Sequence, residues 1–120
     1  MVIERFEDIE VWKLSGELTN KIYKITELDK FRTDFDLKRQ MRRASISVLS
    51  NIAEGYERKS NKEFIQFLYI SKGSAGELRS QLYLANDLGY IDNFDFEDLM
   101  KKVITISKSL SGFIKYLRNC

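Results

Sequence analysis

Four cationic side chains fall close together on one predicted helix, and they are the residues of this chain best suited to hold an anion. They are Lys38, Arg39, Arg42 and Arg43. Residues four apart share a helix face, so Lys38 lies beside Arg42, and Arg39 lies beside Arg43. Arginine and lysine hold carboxylates and phosphates through charge-assisted hydrogen bonds. The pair of arginines therefore needs an acidic group, another subunit or a phosphate as its partner.

A second cationic cluster follows at the far end of the same helix, at Arg58, Lys59 and Lys62. The two clusters are separated by roughly 24 Å of helix and could follow a phosphate backbone, with strongly salt-dependent binding. Aromatic residues near them are few (Phe35 and Tyr56), which gives base stacking little support. The predicted nucleic-acid contacts are Lys38, Arg39, Arg42, Arg58, Lys59 and Lys62.

A line of polar residues shares one face of this helix, at spacings of three and four: Arg43, Ser47, Asn51, Glu54 and Arg58. Glu54 and Arg58 can pair within the helix, in the favoured order. The line is either a polar groove for a ligand or a hydrogen-bonded seam along the bundle or between subunits. Buried polar groups of this kind often set register and assembly state, so we favour the second interpretation. It assigns structural or interface roles to Arg43, Ser47, Asn51 and Glu54.

Catalysis has little support in the sequence. The chain has no histidine, which removes histidine-based acid–base chemistry, serine–histidine triads and nearly all zinc sites. The Gly73-Ser74-Ala75-Gly76 stretch is not a phosphate loop, because it lacks the Gly-Lys-Ser/Thr ending and falls inside a predicted helix. We predict no catalytic residues, no metal site and no cofactor, and therefore no enzyme.

Apolar residues recur at steps of three and four along nearly the whole chain, which predicts four amphipathic helices. Short connections between long helices place neighbours antiparallel. The prediction is an all-α, antiparallel up-down-up-down four-helix bundle. Its helices run from about Ile9 to Glu27, from Phe35 to Arg58, from Ser60 to Leu88, and from Asp95 to the C-terminus.

The ends of these helices carry local signals. Thr33 or Asp34 can cap the second helix, and Asp95 the fourth. Ser60 caps the third helix, with Glu63 completing a capping box, and Gly89 ends that helix. Two glycines inside the third helix, Gly73 and Gly76, predict a close approach of another backbone or a local bend.

Composition restricts the class of protein. The 120 residues suit a single domain, residues 1–120, and no apolar run is long enough to cross a membrane. The only cysteine is Cys120, so an internal disulfide is impossible and a cytoplasmic location is expected. Charge is segregated into blocks: residues 1–36 carry net −3, 37–62 net +5, 63–100 net −5 and 101–120 net +5. Such blocks favour attraction between neighbouring helices or subunits.

Several motifs, in this order, make the chain resemble a known family. They are Phe6-Glu7-Asp8-Ile9-x-Val11-Trp12-Lys13, Gln40-x-Arg42-Arg43-Ala44-Ser45-x-Ser47, Asn51-Ile52-Ala53-Glu54-Gly55-Tyr56, Lys62-Glu63-Phe64-x-x-Phe67-Leu68, Gly73-Ser74-x-x-Glu77-Leu78 and Asp87-Leu88-Gly89-Tyr90-Ile91. The sequence resembles the bacterial four-helix bundle family, whose members are also called 23S rRNA intervening-sequence proteins or S23 ribosomal proteins. The resemblance covers nearly the whole chain.

The resemblance implies a ring-like homopentamer of four-helix bundles. It also implies similarity to the accessory variability determinant of diversity-generating retroelements, a basic pentamer that binds nucleic acid and a reverse transcriptase. The leading hypothesis is therefore a non-enzymatic homo-oligomer that binds RNA or DNA through phosphate contacts. The alternative is a protein–protein scaffold or accessory subunit with no direct nucleic-acid binding, whose charges serve assembly and a protein partner.

Overall fold

The computed structural model describes residues 3–120, and these form four long α-helices joined by short connections. No β-strand is present in this part of the chain. The all-α four-helix bundle expected from the apolar periodicity is confirmed, with helix ends within a few residues of the predicted ones. The helices are α1, Glu10–Ile25; α2, Phe35–Tyr56; α3, Asn61–Asp87; and α4, Asn93–Arg118.

Neighbouring helices run antiparallel, as contacts between their opposite ends show. Gly55, at the end of α2, lies against Phe64 near the start of α3. Lys21, near the end of α1, pairs with Asp98 near the start of α4. Each helix packs on the next along the chain, and α4 closes the bundle against α1. The result is a rod of 46 × 21 × 20 Å.

Three of the predicted helix ends are confirmed, and one is wrong. Asp34 caps α2 through an oxygen that accepts from the Leu37 amide, and Ser60 caps α3 by accepting from the amide of Glu63. Gly89 follows α3 with a φ of +73°. The cap of α4 is Asp92 rather than Asp95, because α4 begins one turn earlier than predicted and the Asp95 amide donates to Asp92 Oδ1 at 2.7 Å.

The core runs the length of the rod along the predicted seams. The seam of α2 is wholly buried and consists of Leu37, Met41, Ala44, Val48, Ile52 and Gly55. One large core residue comes from a connection instead of a helix. Phe31, in a single 3-10 turn between α1 and α2, is fully buried, and its ring lies 5.2 Å from that of Tyr90 in the α3–α4 connection. Tyr90 in turn donates to the Asp34 carboxylate, so the two connections are joined at this end of the bundle.

The close helix approach expected at Gly73 and Gly76 occurs at Gly55 instead. A Cβ atom on Gly55 would lie 2.7 Å from the Phe67 Cβ and 2.9 Å from the Phe64 Cδ1. On Gly73 or Gly76 a Cβ would meet nothing within 4 Å. Within the part of the chain described, Gly55 therefore lets α2 and α3 meet closely, and the two glycines of α3 face outward.

Within residues 3–120, no helix combines the length and the apolar character needed to cross a membrane.

Candidate nucleic-acid interface

A groove between the last turns of α1 and the first half of α2 collects one of the two predicted cationic clusters. Its volume is about 370 Å³. The walls combine four cations with aromatic and aliphatic side chains. The lining residues, hereafter the cationic groove, are Tyr23, Phe35, Lys38, Arg39, Arg42, Arg43 and Ile46.

Arg42 is fixed in place by α1. Its Nε donates to Thr26 Oγ1 at 2.9 Å, and its Nη2 donates to the Tyr23 carbonyl at 3.2 Å and to Glu27 Oε2 at 2.9 Å. The guanidinium also lies 4.3 Å from the centre of the Tyr23 ring, a cation–π distance. Arg42 was predicted from the sequence to bind phosphate. In the structure it also links α1 to α2 through these hydrogen bonds.

Lys38 shares the same carboxylate. Its ammonium lies 2.5 Å from Glu27 Oε2, and its side chain is only 16% exposed. The Lys38 hydrogen bond, and to a lesser degree Arg42, hold the pKa of the Glu27 carboxyl below its usual range. Two of the four cations in the groove are therefore paired with one acid that follows α1, and its single negative charge offsets only one of them.

Arg39 and Arg43 are the other two cations of the groove. Both are exposed, and among the described residues no carboxylate lies within 4 Å of either guanidinium. The four-residue spacing keeps them on one face of α2. Arg43, predicted to be a structural or interface residue, is here a wall of the cationic groove beside Arg39.

Aromatic surface accompanies these arginines. Phe35 is 65% exposed and Tyr23 is 39% exposed, on opposite walls of the groove. The sequence drew attention to Phe35 but not to Tyr23, because Tyr23 sits at the edge of the α1 apolar stripe and reaches the groove only through helix packing. Exposed rings beside cations are the surface on which unpaired bases stack.

The second cationic cluster lies just beyond the other end of α2, roughly 24 Å along the chain's helical rise from Arg42. Arg58 pairs with Glu54 at 3.2 Å, as the spacing predicted, and lies 4.7 Å from the centre of the Phe67 ring. Lys59 and Lys62 are exposed around the α2–α3 turn. Arg58, Lys59 and Cys120 line a separate shallow depression at this end, so the two clusters do not form one site within a protomer.

The polar line divides into separate parts. Ser47 Oγ lies 2.7 Å from Ser74 Oγ on α3. Asn51 Nδ2 donates to the Ser47 carbonyl at 2.8 Å and to Ser47 Oγ at 2.9 Å. Ser47 and Asn51 thus form a hydrogen-bonded seam between α2 and α3, whereas Glu54 bonds to Arg58 and Arg43 lines the groove.

The segregation of charge along the sequence indicates where an acidic partner for these cations would come from. The acidic block of residues 1–36 precedes the basic block of residues 37–62, which indicates pairing between α1 and α2. Which acid pairs could not be predicted, because Glu27 falls at the helix end, where its direction depends on the connection. Within residues 3–120, no group of three or more metal-ligating side chains is found.

Comparison with known proteins identifies the family. No curated protein matches the sequence. Among solved structures, the chain is similar to a protein of unknown function from the S23 ribosomal protein family of Bacteroides thetaiotaomicron. The two share 28% sequence identity with a TM-score of 0.81, over 88% of this chain and 98% of the other. A family model described as 23S rRNA-intervening sequence protein matches residues 7–112, and the chain therefore belongs to that family.

Proposed function

We propose that this protein is a non-enzymatic helical bundle that assembles with copies of itself, as a pentamer, and binds RNA or DNA through phosphate contacts. The observation that carries the proposal is the cationic groove. Arg39 and Arg43 are exposed there without a carboxylate partner among the described residues, in a groove that Tyr23 and Phe35 also line. Surfaces that bind single-stranded nucleic acid commonly combine cations along the phosphate backbone with aromatic side chains on which bases stack.

The residue types determine what kind of recognition the groove supports. Arginines bind phosphate oxygens, which positions a nucleic acid without reading its sequence. Tyr23 and Phe35 can each stack on any base, because every base has a π face. The family's name refers to intervening sequences of 23S rRNA, which makes single-stranded RNA the first ligand to test. Lys59 and Lys62 would extend the contact in an assembly that brings other protomers close.

Self-association is supported by an apolar surface on α3 that this chain does not cover. Ile70 and Leu84 are 51% and 48% exposed, and Leu88 is 46% exposed. Their spacing places them on one face, together with Gly73 and the exposed Glu77. Isolated exposed apolar residues are ordinary, whereas several along one helix face favour an interaction surface. The open space above Gly73 would let the backbone of another copy approach closely.

The same surface also favours the second candidate function, a scaffold or accessory subunit for another protein, such as a reverse transcriptase. In that case the α3 face would serve a protein partner, and the cationic groove would serve α1–α2 packing alone. The two functions differ in what they require of Arg39 and Arg43, which take no part in the hydrogen bonds that hold α1 to α2.

Substituting both exposed arginines should therefore decide between them. The double variant Arg39→Gln/Arg43→Gln is expected to bind a labelled single-stranded RNA about tenfold more weakly, since two charge-assisted contacts are lost. The slope of log K against log salt should also become shallower by roughly 1.4, because each phosphate contact on a single strand contributes about 0.7. Fluorescence anisotropy at several salt concentrations measures both quantities.

The matched control removes two charges elsewhere, at Lys13 and Lys108, both exposed on other surfaces. Lys13→Gln/Lys108→Gln should leave the affinity close to that of the wild type. Absence of RNA and DNA binding by the wild type at low salt would overturn nucleic-acid binding and favour the scaffold.

Self-association can be tested separately, with a substitution on the exposed face of α3. Replacing Ile70 with glutamate should convert the oligomer into a protomer of 14.1 kDa, because the charge would be buried in the interface. Multi-angle light scattering measures the mass, and Phe94→Glu on the 77% exposed Phe94 is the control. A wild-type protein that is monomeric at micromolar concentration would contradict the proposal.

A further inference from the structure

Two cations of the cationic groove already hold an anion, and that anion belongs to the protein. The Glu27 carboxylate accepts from both Lys38 and Arg42 through the same oxygen, Oε2. This is the arrangement in which two cations hold one phosphate oxygen. The structure therefore shows two of the four groove cations, Lys38 and Arg42, with an anion bound.

Glu27 is not required to shape the groove. Arg42 keeps its hydrogen bonds to Thr26 Oγ1 and the Tyr23 carbonyl, and its contact with the Tyr23 ring, without any contribution from Glu27. Glu27 itself lies just beyond the last residue of α1, and its side chain is 51% exposed. Lys38 and Arg42 are only 16% and 22% exposed, but water and salt reach the Glu27 side of the ion pair and screen it. A stronger anion can therefore compete with Glu27 for the two cations.

We propose that Glu27 is an intramolecular competitor of phosphate, which occupies Lys38 and Arg42 until a nucleic-acid phosphate displaces it. This proposal rests on the proposed function of the cationic groove and adds regulation of that same site. A ligand meets Arg39 and Arg43 first, since these have no carboxylate within 4 Å among the described residues. It gains Lys38 and Arg42 only by displacing Glu27, so its apparent association constant is the intrinsic one multiplied by the fraction of molecules in which Glu27 is released from the two cations.

The competition has a consequence for the type of ligand. A single phosphate that reaches only Lys38 and Arg42 must displace Glu27 and gains no other contact. A phosphate chain that also touches Arg39 and Arg43 offsets the displacement, because no carboxylate of residues 3–120 lies within 4 Å of these two arginines. Glu27 thus favours extended polyanions over small ones, and its removal should help small anions at least as much as large ones.

The test compares two variants that lose one negative charge each. Glu27→Gln removes the competitor, and Glu17→Gln removes an exposed carboxylate of α1 that lies on the side facing α4. Labelled single-stranded RNA and inorganic tripolyphosphate are titrated separately into the full chain. Binding is followed by anisotropy for RNA, and by the Arg42 Nε–Hε resonance for tripolyphosphate. Glu27→Gln is expected to bind both ligands about fivefold more tightly than Glu17→Gln, a factor set by the weakness of exposed ion pairs.

The two ligands separate the failure of this inference from failure of the proposed function. If the wild type binds RNA and the two variants bind it equally, Glu27 is not a competitor, whereas the function stands. If no protein binds RNA but Glu27→Gln binds tripolyphosphate more tightly than Glu17→Gln, the competitor stands and the nucleic-acid function does not. If neither ligand binds any of the three proteins, both proposals are wrong.

Discussion

Replacing Phe31 with alanine is expected to lower the free energy of unfolding by about 3–5 kcal/mol. The Phe31 side chain has no exposed surface, although it comes from the connection between α1 and α2. Its ring packs against Tyr90, so its loss would leave a cavity between two connections at one end of the rod. Urea denaturation at fixed protein concentration measures the change, since self-association makes stability depend on concentration.

The matched control is Phe35→Ala, four residues along the chain, where 65% of the side chain is exposed. Its stability should change by no more than about 0.5 kcal/mol, as for an ordinary surface substitution. The same variant should weaken RNA binding, because it removes one wall of the cationic groove. A loss below about 1 kcal/mol for Phe31→Ala would mean that the connection does not anchor the bundle.

Replacing Gly55 with valine is the second large effect, with an expected loss of about 3 kcal/mol. The new Cβ would lie 2.7 Å from the Cβ of Phe67, and 3.2 Å from the Phe64 carbonyl oxygen. Neither atom can be moved by a side-chain rotation, so α2 and α3 would have to separate along their shared seam. The improved helix propensity of valine over glycine, under about 1 kcal/mol, is too small to compensate.

Gly112→Val supplies the comparison, because a Cβ on Gly112 in α4 would meet nothing within 4 Å. Its stability should stay within about 0.5 kcal/mol of the wild type or rise slightly. Equal stability of the two variants in thermal and urea unfolding would show that Gly55 leaves room for a side chain between α2 and α3.

Local chemistry accounts for most of the fold that could be predicted from the sequence. The seam from Leu37 to Gly55 is visible as apolar periodicity, and the caps at Asp34 and Ser60 depend only on nearby residues. The fourth helix was predicted to begin one turn late because Asp92 and Asp95 are both good caps, and the sequence alone does not rank them. The close approach of α2 and α3 at Gly55 was not predicted for a different reason. Glycines inside a helix indicate a close approach, but only packing determines which of them faces a neighbour.

Only part of the candidate site could be predicted, again because helix packing determines which residues of different helices meet. The cations of α2 are a property of one helix, so their sharing of a face follows from spacing. The Tyr23 ring and the Glu27 carboxylate come from another helix and its end, and they reach the groove only through the crossing of α1 and α2. The charge of the groove could therefore be predicted from the sequence, whereas the fold determined that Lys38 and Arg42 are paired and that Arg39 and Arg43 have no carboxylate partner within residues 3–120.

The placement of Cys120 makes the groove experimentally accessible. Its thiol is exposed and is the single cysteine of the chain, so one maleimide reaction would give a uniformly labelled population. The thiol lies beside Arg58 and Lys59, at the end of the 46 Å rod opposite to the groove. Tethering the protein to a sensor chip through this sulfur would point the groove into the flow, and a donor dye there would report by energy transfer on where an acceptor-labelled strand comes to rest.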